Sequence, residues 1–146
     1  MTTLATSADL TVARVGSLHV GFPLEAVQEV LMGITVTPVP LADSGNAGLI
    51  NVRGEILSVV DLSMRLGLGH TEMSESSVHV IVRTSRGLVA VTVDRVHDVV
   101  HADADHFESV QGDASDLFTA AYALPNRLVL VLDIDRAVWR DRADTV

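Results

Sequence analysis

The chain contains no cysteine, few aromatic residues and few basic residues. Without cysteine it can form no disulfide, no thiolate metal site and no thiol nucleophile. Aromatic residues make up 3% of its 146 positions, which leaves little side-chain surface for stacking on bases or sugars. Ten Lys and Arg residues face 19 Asp and Glu residues, so the formal net charge is −9. Nucleic acids and anionic membranes require a basic surface, and this charge therefore argues against both as partners.

The sequence also lacks targeting and membrane-spanning patterns. Its N-terminus, "MTTLATSADL", has no basic region followed by a long apolar core, and no stretch approaches the roughly 18 apolar residues of a membrane span. We therefore expect a cytoplasmic protein with no membrane insertion. Apolar residues make up 48% of the chain, enough for a real core. This predicts a flexible N-terminus over residues 1–8 and one domain over 9–142, with a polar link near 69–76 between two subdomains.

Short strands dominate what is present. The segment "LTVARVGSLHVGF" predicts a hairpin turning at Gly16 and Ser17. Three later segments each follow a turn signal, run through mostly apolar residues and reach an aspartate: "EILSVVDL", "GLVAVTVDRV" and "RLVLVLDI". Many short strands with regular turns and brief helices predict an all-β protein with short helices, built as small antiparallel barrels or a sandwich.

Several shorter patterns are expected to form helices, strands and loops. Pro23 suits the first position of a helix, so "PLEAVQEV" predicts a short helix over residues 23–30. "ITVTPVP" predicts a strand over 34–40, limited by its two prolines, and "LADSGNAG" predicts a loop. Asp61 and Asp133 are placed to cap the helices that follow them. The pair "SVVDLSMRL" and "LVLDIDRAV" is therefore either a weak internal duplication or a chance match between Val-rich strands.

No pattern in the chain nominates an enzyme or a cofactor. There is no G-x-S-x-G elbow and no Gly-rich phosphate loop. Histidines cluster in "VHDVVHADADHF", which invites a metal site at His97, His101 and His106. The valines between the first two fit an extended edge strand, in which these histidines would lie about 13 Å apart, too far to bind one ion. Solvated polar residues explain this segment better, and we predict no catalytic, metal or cofactor site.

One charged triplet has two interpretations. In "GLINVRGEILSVVDL" the residues Arg53, Gly54 and Glu55 lie between two apolar runs. Gly54 suits the positive φ of a hairpin turn. Arg53 could stay solvated, or it could anchor an interface by pairing with a carboxylate. Glu29, in the apolar setting of "VQEV", is a second candidate with the same two interpretations.

At these residues the sequence resembles the CheW-like domain, a scaffold family of bacterial chemotaxis arrays. The family core G-[VI]-x-N-[LV]-R-G-x-[IV]-x-P-V-[IV]-D-L is similar to "GLINVRGEILSVVDL", with Ser58 in place of the proline. "VQEV", "LVAVTVDRVHDVV" and "LVLVLDIDRAV" resemble further family elements in the family's order. The resemblance covers residues from about 10 to 140, although "TAAYALPNR" lacks the family's G-x-G loop.

The resemblance implies two SH3-like five-stranded β-barrel subdomains packed on a shared core, with no catalysis. It implies an adaptor that couples the cytoplasmic tip of a methyl-accepting chemoreceptor to the regulatory domain of a CheA-type histidine kinase, in receptor arrays at the membrane. The partner-binding residues that it implies are Arg53, Glu29, Val27, Val30, Asn51 and Gly54. The alternative is a stand-alone regulatory module that binds a small ligand or metal at its His-rich edge.

Overall fold

Two β-sheets account for most of the architecture. A computed structural model describes residues 6–39 and 45–144, and in these ranges eleven strands form one six-stranded and one five-stranded sheet. The elements are β1 (Ala8–Val15), β2 (Leu18–Pro23), β3 (Val27–Met32), β4 (Asn46–Val52), β5 (Glu55–Asp61), α1 (Leu62–Arg65), β6 (Val78–Thr84), β7 (Gly87–Val93), β8 (Arg95–Ala102), β9 (Phe107–Glu108), β10 (Phe118–Leu124), β11 (Arg127–Leu132) and α2 (Ile134–Asp144). No helix in these ranges has the length and apolar character needed to cross a membrane.

The strands predicted from alternation and turn residues are confirmed. The first hairpin pairs β1 with β2 and turns between Val15 and Leu18. The three repeated runs form β5, β7 and β11. The His-rich segment is extended around its valines, as predicted, and forms the edge strand β8 up to Ala102, after which Ala104–His106 form a 3-10 turn.

The helix predicted over residues 23–30 is wrong. One 3-10 turn spans Leu24–Ala26, and the chain then continues as β3 beside β6. The residues of β3 alternate between half-buried and exposed, a period of two rather than 3.6. Pairing with the neighbouring strand therefore overrides the weak helical spacing of Leu24 and Val27.

The strand predicted over residues 34–40 is also wrong. In the described part of this segment the ladder reduces to a single bridge, in which Thr37 and Leu49 exchange two hydrogen bonds of 2.8 Å. Pro38 follows this bridge and has no N–H with which to continue the pairing. The loop predicted over residues 41–48 lies partly outside the described residues, and its last three residues, 46–48, belong to β4.

Both sheets repeat one strand order. The first five strands of the larger sheet run β8-β1-β2-β11-β10, and the smaller sheet runs β3-β6-β7-β5-β4. In each sheet a parallel pair of strands, β2 with β11 or β7 with β5, joins two hairpins. The hairpins are β1–β2 and β10–β11 in the larger sheet, and β6–β7 and β4–β5 in the smaller one. A short helix follows β11 in the first case and β5 in the second. The chain enters the smaller sheet after β2 and leaves it after β7. Residues 69–76 therefore join α1 to β6 within the same half.

Three clusters of buried residues fill this arrangement. One lies within each half, around Leu10 and Tyr122 in the first and around Ile50 and Ile81 in the second. The third and largest takes residues from both sheets and from α2, and Phe22 is among its members. Two barrel-like halves with a shared core are thus confirmed, and the short strand β9 gives the first sheet a sixth member.

Asp61 begins α1 and also anchors the segment that follows this helix. Its carboxylate accepts hydrogen bonds from the N–H of Met64 (3.4 Å) and of Thr71 (2.7 Å), and the residue is 1% exposed. Asp133 caps α2 through one hydrogen bond, in which its carboxylate accepts from the N–H of Arg136 at 3.1 Å. Both predicted caps are confirmed.

Asp61→Ala is expected to destabilise the fold by about 2–3 kcal/mol, because two N–H groups lose their acceptor in a buried setting. Asp133→Ala is the matched control, since its side chain is 30% exposed and water can replace the lost acceptor. We expect it to cost about 1 kcal/mol. Urea unfolding of both variants measures the difference, and equal losses would contradict the anchoring role of Asp61.

Candidate functional site

A tight turn between β4 and β5 presents Arg53. Both central residues of this turn have positive φ, 50° at Arg53 and 90° at Gly54, as a type I′ hairpin requires. The side-chain oxygen of Asn51 accepts a hydrogen bond from the N–H of Gly54 at 2.9 Å. Within the described residues, Arg53 is the one non-glycine with positive φ, a conformation that costs a bulky residue energy. The sequence identified the role of Gly54 but not this strain at Arg53.

Arg53 forms an ion pair with Glu29 on β3. The Arg53 guanidinium donates a hydrogen bond to the Glu29 carboxylate, and the side chains are 65% and 24% exposed. The pairing of β3 with β6 skips Gln28, and this bulge places Glu29 opposite Ile81. The hydrogen bond to Glu29, followed by the charge of that carboxylate, raises the pKa of Arg53 above its usual value. The two charges singled out in the sequence therefore meet across the edge of the second half.

The cleft beneath this ion pair is too small for a ligand. Its volume is about 30 Å³, and its floor is formed by Val52, Leu57, Ile81 and Leu88. This is room for about one water molecule, far below the 300–1,000 Å³ of typical ligand pockets. The surface around Arg53 therefore fits contact with another protein better than binding of a small molecule.

Three apolar side chains on β3 and β5 are exposed. On β3, Val30 is 42% exposed and Met32 is 62% exposed, while Ile56, which follows the turn on β5, is 60% exposed. Val27 is instead half-buried and packs against the central cluster. Sequence reasoning missed Met32 and Ile56. Reading residues 27–32 as a strand would have placed Met32 on the face of Val30.

A larger open groove lies where the chain leaves the first sheet. Its volume is about 470 Å³, and Leu10, Pro23, Leu24 and Val131 supply its apolar lining. Leu24 is 40% exposed there. Asp9 and Glu25 add acidic groups to the same groove.

The His-rich edge does not assemble a metal site. Among the described residues, no three His, Asp or Glu side chains are placed to hold one ion. His101 pairs instead with its cross-strand neighbour Asp9, with Nδ1 2.7 Å from Oδ1, and its Nε2 lies 3.4 Å from Asp103.

A model of the CheW-like domain family matches residues 9–141. The chain belongs to the CheW-like domain family. Chemotaxis protein CheW of Rhizobium meliloti is 28% identical over 131 residues, which cover 87% of this chain and 84% of that protein. CheW of Thermotoga maritima is 30% identical over 121 residues, 80% of this chain and 78% of its own. Protein FrzA of Myxococcus xanthus is 35% identical over 83 residues, 57% of this chain and 52% of its own.

The fold of this CheW-like chain also matches a solved structure. The scaffolding protein TtCheW of Thermoanaerobacter tengcongensis superposes with a TM-score of 0.81 and 23% identity, over 90% of this chain and 92% of the other. The predicted family and fold are confirmed. The family also establishes the general role that the resemblance implied, a non-catalytic chemotaxis adaptor.

Proposed function

We propose that this CheW-like chain couples the cytoplasmic tip of a methyl-accepting chemoreceptor to the regulatory domain of a CheA-type histidine kinase. The observation that carries the proposal is the strained turn that holds Arg53 against Glu29 at an exposed edge. Strained backbone is retained where function needs it, and no enclosed ligand cavity lies beneath this turn. Family membership supports partners of this general kind.

The kinase domain contacts the edge formed by Arg53, Glu29, Val30 and Ile56. The two exposed apolar side chains supply the area that is removed from water. The charged pair at their margin sets the orientation of the partner and excludes wrong ones, as charges at the rim of an interface commonly do. Asn51 and Gly54 act indirectly, because their hydrogen bond holds the turn.

The receptor tip occupies the groove that lies where the chain leaves the first sheet. An amphipathic helix binds an apolar groove through side chains spaced along one of its faces. The groove beside Leu24, which is 40% exposed, offers such a surface, and Asp9 and Glu25 would attract basic residues at the margin of the helix. Val27 supports the neighbouring strand from within the core, and Val30 remains exposed on it. Both partners place the chain in the cytoplasm, at receptor arrays.

Isothermal titration calorimetry tests the coupling role. We expect the wild-type chain to bind a purified CheA regulatory domain and, separately, a receptor-tip fragment. Individual contacts in an array can be moderate because avidity multiplies them, so Kd values of about 1–50 µM are expected. If Zn²⁺ or a small metabolite gives heat of binding and neither the kinase domain nor the receptor fragment does, the ligand-binding module is established and the adaptor proposal is contradicted.

A further inference from the structure

A row of basic side chains crosses the first sheet. Arg95 on β8 lies directly opposite Arg14 on β1, and Arg14 lies directly opposite His19 on β2. Neighbouring strands are about 5 Å apart, so the three residues span about 10 Å. His97 adjoins this row, with its ring centroid 5.5 Å from that of His19. We call Arg95, Arg14, His19 and His97 the arginine–histidine row.

The fold itself gains nothing from this row. Like charges placed directly opposite each other on neighbouring strands are destabilising. Across the described residues, the guanidinium groups of Arg14 and Arg95 make no ion pair or side-chain hydrogen bond. The chain has 19 acidic residues and ten basic ones, so it has enough carboxylates to pair with both arginines. Two exposed arginines side by side, neither of them in an ion pair, are a cost that a bound anion would reduce.

The two carboxylates next to Arg95 and His97 in the sequence make their side-chain hydrogen bonds elsewhere. Asp98 accepts two hydrogen bonds from Arg127 on β11, at 3.0 and 3.1 Å. Asp94, in the connection before β8, accepts the N–H of Gly16 at 2.7 Å. Neither hydrogen bond goes to a member of the row.

The histidines make the row sensitive to pH. The pairing of β8 with β1 skips His97, so a bulge projects this residue beside His19. Slight desolvation, followed by the charges of His19, Arg95 and Arg127, lowers the pKa of His97, and Asp98 opposes this only in part. A bound anion would add negative charge here and raise that pKa. Binding therefore takes up protons and strengthens as the pH falls.

We propose that the arginine–histidine row docks an acidic segment of a partner protein, and docks it more tightly in mild acid. Carboxylates on one face of a helix, three or four residues apart, have Cβ atoms about 5–6 Å apart, close to the spacing of the row. The net charge of −9 repels extended polyanions such as nucleic acid and anionic membrane, whereas a short acidic segment meets only the local charge. This surface is separate from the Arg53 edge, and the inference does not depend on the coupling proposal.

Calorimetry with a synthetic helical peptide tests the row. The probe is a 16-residue alanine-rich helix with glutamates at every fourth position, and its glutamine counterpart is the control. For the wild-type chain at 50 mM salt, we expect the glutamate peptide to bind about tenfold more tightly at pH 6.0 than at pH 7.5. Glutamate, with a pKa of about 4.3, stays ionised at both pH values, so the change reports the histidines.

Three variants separate the parts of the proposal. Arg14→Gln with Arg95→Gln should weaken binding at least about tenfold and raise Tm by about 1–3 °C, since the repulsion is relieved. His19→Gln with His97→Gln should keep the binding at pH 7.5 and lose its pH dependence. Arg136→Gln, which removes an exposed arginine outside the row, should bind like wild type. Burial lowers the pKa of His79, so protonation of this residue at the lower pH favours unfolding. Circular dichroism at both pH values must therefore show that every variant is folded.

Four results with the peptides and variants would overturn the inference. They are no binding of the glutamate peptide at either pH, equal binding of the glutamine peptide, unchanged binding by the double arginine variant, and a pH dependence that survives loss of both histidines. A further arm uses inorganic phosphate as competitor. If phosphate at the peptide's concentration displaces it, the row is a general anion site and not a docking surface for an acidic segment.

Discussion

Arg53→Glu is expected to weaken binding of the kinase regulatory domain at least about tenfold while shifting Tm by less than about 3 °C. The side chain is 65% exposed and its pair with Glu29 is open to solvent, so the fold depends little on it. The substitution reverses the charge at the margin of an apolar contact, which places like charges against a partner selected for the opposite sign. Calorimetry and thermal unfolding measure the two effects.

The charge-swapped double variant separates a partner contact from a structural one. Arg53→Glu with Glu29→Arg restores the ion pair but exchanges the two charges. If the pair only holds the turn, this double variant should bind the kinase domain like wild type. If the partner contacts Arg53 itself, binding stays weak although the fold is intact, and this is the result we expect. Unfolding of Arg53→Glu alone would show that the residue is structural and would contradict our assignment.

Gly48→Ala is expected to destabilise the fold by at least about 3 kcal/mol and to lower Tm by about 10 °C. Gly48 has a φ of 142°, which residues with a side chain rarely adopt. A Cβ here would lie 2.2 Å from the backbone oxygen of Thr37, which is held by the bridge to Leu49. The clash is with backbone atoms, so rotation of a side chain cannot relieve it.

Gly69→Ala is the matched control for Gly48→Ala. Gly69 also has positive φ, 107°, but a Cβ there meets no atom within 4 Å. Gly69→Ala therefore measures the conformational cost of a side chain at positive φ without a clash. We expect this cost to be about 1–2 kcal/mol. Denaturant unfolding of both variants gives the difference. Equal losses would mean that the approach of Thr37 is not what requires glycine at position 48.

Local patterns predicted well where the nearest neighbours in sequence are also neighbours in space. The hairpins around Gly16 and Gly54 follow from turn residues between apolar runs, because a tight turn brings the two flanking strands together. The caps at Asp61 and Asp133 follow from a side chain that reaches N–H groups two or three residues ahead. No distant contact is needed for either feature.

The predictions failed where distant segments decide the structure. Residues 27–30 have helical spacing, but β6, some fifty residues later, pairs with them and imposes an extended chain. The same pairing contains the bulge that places Glu29 opposite Ile81 and within reach of Arg53. Arginine and glutamate are 24 residues apart in sequence, and no periodicity along the chain relates them.

The sequence by itself determined the class of the protein: a β-rich, cysteine-free, acidic chain with the motif elements of a CheW-like adaptor. Composition and short motifs are local properties, so they can be read without the fold. Only the tertiary structure decided that Arg53 and Glu29 form one pair, that Met32 and Ile56 lie exposed, and that Arg95, Arg14 and His19 line up across three strands. Strand register sets each of these neighbours, and register depends on contacts between segments that are remote along the chain.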